Sequence, residues 1–161
     1  MARARIERTP KGDFRLRLPE VERAVLASLP GQLRELLSTD DSALRRLFPP
    51  AYPDDVEREA EYRRLVREDL LGEHLESLRI LEETVEARRL AEDQMTAWLG
   101  ALNDLRLVLG TRLDVSEDEP DVEEDDPRAR ALALYHYLGW LQTEVLAALS
   151  EGLDPRGTAG D

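Results

Sequence analysis

The chain has 161 residues, with 35 acidic against 22 basic ones, a formal net charge of −13 and no cysteine. That much negative charge repels nucleic-acid phosphates and favours basic partners or basic protein surfaces, which argues against direct nucleic-acid binding. The lack of cysteine excludes disulfides, thiol redox switching and thiolate metal sites within the chain.

The length suffices for one domain with a sizeable core. Aromatic residues make up only 5% of the chain, so that core must be built mainly from Leu, Val and Ala, which suits helix packing. The fold expected is mostly α: a bundle of about five helices with a short N-terminal β-hairpin. Residues 1–151 read as a single helical regulatory or interaction domain and 152–161 as a disordered tail. The N-terminus has no apolar core of a secretory signal, and no apolar run approaches the ~20 residues of a membrane span. A cytoplasmic location away from membranes is expected.

Residues 1–18 carry six basic and two acidic side chains, a local charge of +4 in an acidic chain. Here "RARIER" and "DFRLRL" alternate around "TPKG", the pattern of two short strands and a turn. Ile6, Phe14, Leu16 and Leu18 would then cover one face of the bundle. The alternative is a basic arm contacting nucleic acid or an acidic protein. Pro19 opens a helix at its first position, with Glu20 and Glu22 where the helix dipole favours them. Val21, Val25, Leu26 and Leu29 form its apolar face. Pro30-Gly31 interrupts or ends it, "QLRELL" continues to Ser38, and "STDDSALRRLF" reads as a cap and short helix stopped by Pro49 and Pro50.

After the extended "FPPAYP", Asp54 or Asp55 caps a helix running to about Glu86, with a bend or break possible at Gly72. Leu71, Leu75, Leu78 and Val85 form its stripe. Acidic Glu92 and Asp93 start the next helix, whose broad apolar face, from Met95 to Leu109, marks it as the central one. Nine of the fourteen residues from Asp114 to Pro127 are acidic and none is basic. Such a segment repels itself and buries nothing, so a disordered acidic loop is expected at 114–127. A last helix spans about 128–150.

Sites of chemistry are hard to place on this pattern. His74 and His136 stand in neither HExxH nor ExxH, and there is no GxGxxG, Walker A or GxSxG. No catalytic residue, cofactor or metal site is expected, and the chain does not read as an enzyme. His136 is expected at a packed helix edge. The unusual stretch is "WLGALNDLRLVLGTRL", Trp98 to Leu113, where an apolar helix keeps Asn103, Asp104, Arg106 and Arg112. Asn103, Arg106 and Gly110 fall on one helical line, and Asp104, Val108 and Arg112 on another. Two readings stand. One is a buried polar network that sets the bundle's register, with Arg106 paired to an acid of another helix. The other is a partner-docking surface.

The segment "AWLGALNDLRLVLGTRL", together with "RLRLPEVERAVLASLPGQLRELL" and "YHYLGWLQTEVLAAL", resembles an actinobacterial domain-of-unknown-function family associated with the AosR oxidative-stress regulator. The resemblance covers nearly the whole chain apart from the acidic segment and tail. It implies a cytoplasmic regulator acting through a protein partner, an alternative sigma factor of RNA polymerase in the regulator branch, with cysteine-biosynthesis genes in its output. The neighbourhood of the family's genes also implies an alternative role, as an adaptor or accessory factor in Clp-type regulated proteolysis. The redox-responsive branch uses cysteines. This chain has none, so direct thiol sensing does not carry over, and the resemblance supplies no catalytic residue.

Overall fold

The structure is a computed structural model that describes residues 4–114 and 127–151. The acidic segment, apart from its end residues, and the tail from residue 152 lie outside the described residues. In chain order the elements are β1 (Ile6–Arg8), β2 (Phe14–Leu16), α1 (Glu20–Leu37), a 3-10 turn (Ser42–Leu44), α2 (Val56–Thr84), β3 (Arg89–Leu90), α3 (Glu92–Leu113) and α4 (Ala129–Glu151).

The hairpin forms as its alternation predicts. β1 and β2 pair antiparallel with Ile6 opposite Leu16 and Arg8 opposite Phe14. The turn closes through Thr9 N–H to the Asp13 carbonyl at 2.9 Å, with Gly12 at φ 91°, a conformation that suits glycine. Ile6, Phe14, Leu16 and Leu18 are all buried. Three basic residues of this segment are engaged within the fold. Arg5 pairs with Glu22 at 3.1 Å, Arg17 with Glu7 at 2.9 Å, and Arg8 stands 5.1 Å over the Phe14 ring. The sheet has a third strand that sequence periodicity misses, because it is two residues long. β3 pairs antiparallel with β2, setting Phe14 opposite Leu90.

Among the described residues the bundle has four α-helices and one 3-10 turn, where about five helices were expected. α1 runs unbroken through Pro30, and the "QLRELL" segment is its C-terminal half. Proline gives up one amide donor inside a helix, but the Pro30 ring is fully buried on the line Leu26, Pro30, Leu33, Leu37. Packing on that line offsets the missing bond. The face predicted for α1 was rotated: Leu26 is buried, but Val21 is 76% exposed and Val25 also faces solvent. Two apolar stripes overlap in this segment, and the tertiary contacts select the one containing Pro30. α2 likewise passes Gly72 without a break and is capped by Asp55, whose carboxylate accepts from Arg58 N–H at 3.1 Å.

Two polar ties lock the layers. Arg23 of α1 donates to the backbone carbonyls of Leu16, Leu18, Val85 and Ala87, joining the sheet, α1 and the end of α2 through one guanidinium. Trp98 of α3, fully buried, donates its indole N–H to Thr84 Oγ1 at 2.7 Å, and that hydroxyl donates to the Ile80 carbonyl. The central position of α3 follows from its broad apolar face: it packs against both α2 and α4.

Candidate functional site

The four polar residues of α3 do not form one network. Its two helical lines meet different neighbours. The line of Asn103, Arg106 and Gly110 faces α4, which runs antiparallel, so each step along one helix meets a step back along the other. Asn103 Oδ1 accepts from Gln142 Nε2 at 3.2 Å. The Arg106 stem crosses Gly139, its Cδ 3.5 Å from where a β-carbon of that glycine would stand, and its guanidinium lies 5.9 Å from the Tyr135 ring. Tyr135 in turn covers Gly110. Among the described residues Arg106 forms no ion pair, and its buried Nε has no hydrogen-bond partner. The acid expected to meet it from another helix is absent there. A ring face and a glycine gap receive the side chain instead.

The second line points elsewhere. Asp104 is only 5% exposed and contacts His74 of α2, with 2.6 Å between its carboxylate and Nδ1. The other ring nitrogen faces the Leu47 carbonyl at 3.2 Å. Both partners are acceptors, so the ring satisfies both only as a doubly protonated imidazolium. The hydrogen bond to Asp104 raises the His74 pKa above its ordinary value, against the opposing effect of burial. Phe48 packs edge-on to the same ring at 5.5 Å, and Arg67 stands 4.6 Å over Phe48. His74 thereby ties the segment after the 3-10 turn to α2 and α3. His136, in contrast, is exposed on α4, with the Tyr135 ring 5.5 Å away.

Arg112, last on this line, is exposed and lies 3.8 Å from Asp41. It also borders a cleft of about 120 Å³ between α1, α3 and α4, whose walls include Leu29, Leu36, Leu109 and Leu134. Nothing in the local sequence announces His74, Tyr135 or Gln142 as partners of α3. The signal available was the placement of polar residues at helical spacing on an apolar helix, which marks α3 without naming what it meets.

Among the described residues no group of three His, Asp or Glu side chains is placed to hold a metal ion, and no helix is long and apolar enough to cross a membrane. A family model, the domain of unknown function DUF2017, matches residues 1–149. The chain belongs to the DUF2017 family. Its α3 polar lines, the His74–Asp104 contact and the leucine-walled cleft all lie inside the matched region. A relative named putative oxidative stress regulator AosR, from Mycobacterium leprae (strain TN), is 31% identical over 129 residues, covering 68% of this chain and 59% of the relative. The oxidative stress regulators AosR of Mycobacterium tuberculosis and Mycobacterium bovis are 27% identical over 187 aligned positions, covering 90% of this chain and 86% of theirs. The DUF2017 chain therefore spans under two thirds of the first of these relatives and most of the other two. No solved structure matches it.

Proposed function

We propose that this chain is a non-enzymatic cytoplasmic regulator of an oxidative-stress response that acts by binding another protein. The partner is an alternative sigma factor of RNA polymerase, and cysteine-biosynthesis genes belong to the output. The observation that carries the reading is similarity over most of the chain to relatives named oxidative stress regulators. Two physical features agree with it. The polar side chains of α3 are engaged with neighbouring helices or lie at the surface, and the net charge of −13 suits a protein partner better than DNA. Without cysteine the chain does not itself act as a thiol sensor, so the oxidant signal reaches it from elsewhere or is read by the partner.

The test is affinity purification of the full chain from its native host, with the retained proteins identified. A sigma factor and polymerase subunits are expected. Clp components in their place would move the chain to the role of an adaptor in regulated proteolysis and overturn the sigma-factor reading. Repeating the binding with mild peroxide and a cysteine-free version of the sigma factor should leave the affinity unchanged.

A further inference from the structure

The cleft between α1, α3 and α4 is walled mainly by leucines, with Gln32 and Arg112 as its polar members, and is incompletely filled. Leu29 and Leu36 of α1, Leu109 of α3 and Leu134 of α4 ring it, and each is only half-buried. Four leucines held partly in water from three helices cost free energy that closer packing would recover. The volume, about 120 Å³, is close to the roughly 150 Å³ of an apolar protein cavity that takes a benzene molecule. One bulky apolar side chain fits it.

The charge at one end is opposite to that of the protein as a whole. Arg112 of α3 borders the cleft. Arg130 precedes Leu134 by four residues and Leu138 by eight, so it continues the α4 line that walls the cleft, about 6 Å further along the axis. Asp41, the acid near Arg112, stands 3.8 Å away with both side chains well exposed, a loose contact of little energy. Arg130 forms no ion pair among the described residues. An apolar seat with the exposed Arg112 at its edge and the exposed Arg130 one turn beyond is complementary to an apolar side chain with a carboxylate at matching helical spacing.

We propose that this cleft docks an acidic amphipathic helix of a partner protein. A side chain the size of Leu or Phe seats among the four leucines, and an Asp or Glu three or four residues away meets Arg112 and Arg130. The inference rests on the protein-partner reading above and adds to it the surface and the chemistry of the segment bound.

A display library of helical peptides with randomised exposed positions, panned on the full chain and in parallel on the R112E/R130E variant, tests it. Both substitutions are at exposed positions, and an unchanged Tm checks that the variant folds. The expected outcome is enrichment of peptides pairing a bulky apolar residue with Asp or Glu at i+3 or i+4. Their affinity should fall about tenfold on the double variant and weaken with added salt. No enrichment, enrichment without acidic bias, or equal binding to the variant overturns the proposal. So does a dimer of the chain that the milder L109A substitution disperses, since the occupant would then be a second copy. The same variant separates this inference from the broader reading. If it still retains the sigma factor from the native host, the cleft is not the docking site while the partner stands. If the native chain selects acidic helices but retains no sigma factor, the cleft stands and the partner's identity falls.

Discussion

The Tyr135 ring of α4 occupies the space that a side chain at Gly110 of α3 would need: a β-carbon added to Gly110 would lie 2.8 Å from Tyr135 Cε2. Real β-carbons do not approach a ring so closely, and this ring is held between Gly110 and the Arg106 guanidinium. Gly110→Ala should therefore force the two helices apart and cost about 1–3 kcal/mol, the usual penalty for overpacking. Gly139 is the control. A β-carbon there meets Arg106 Cδ at an ordinary 3.5 Å, and the helix-propensity gain of up to about 1 kcal/mol is then free to act. Urea unfolding of both variants decides the point; equal stability of G110A and native protein would refute the packing argument.

Arg106 supports the α3–α4 seam through its stem more than through its charge. Its buried Nε is unpartnered and no acid answers it among the described residues. Arg106→Met keeps the aliphatic contact with Gly139 and removes the unsatisfied donor, so its stability should match or exceed that of native protein. Arg106→Ala loses the contact and should cost about 1–2 kcal/mol. A methionine variant as unstable as the alanine one would mean that the guanidinium itself is required.

The His74–Asp104 contact makes stability depend on pH, with a definite sign. The folded-state pKa of His74 is raised, chiefly by the hydrogen bond to Asp104. Its contribution is then complete below the unfolded pKa of about 6.5 and is lost as pH rises through the folded value. The stability advantage of native protein over His74→Gln should shrink on going from pH 6 to pH 9. Denaturant titrations across that range check it, and an advantage that grows with pH would show that the ring is neutral in the fold.

Arg23 ties three elements through four carbonyls, and no other side chain type matches that fan of donors. Arg23→Ala leaves part-buried carbonyls without partners and should cost about 3 kcal/mol. Arg23→Lys should recover little of it, because one ammonium cannot span the sites. Hydrogen exchange should show the loss first in β3 and the start of α1. A lysine variant with native Tm would contradict this role.

Much of the architecture follows from local pattern alone. Alternation with a polar turn placed the hairpin, acidic first turns placed the starts of α1, α2 and α3, and the breadth of the apolar face singled out α3 as central. These signals are legible because strand and helix periods are written into consecutive residues. The two polar lines of α3 were legible for the same reason. Their targets were not. His74 meets Asp104 across 30 residues and Gln142 meets Asn103 across 39, and helix spacing says nothing about which helix lies opposite. Pro30 and Val21 mark the same boundary. Local preference ends a helix at proline and buries valine, whereas here the neighbouring core covers the Pro30 line and leaves Val21 in water. Local pattern sets which segments become helix and which faces compete for burial. Which face wins is settled by packing, because burial depends on a partner surface supplied by distant parts of the chain.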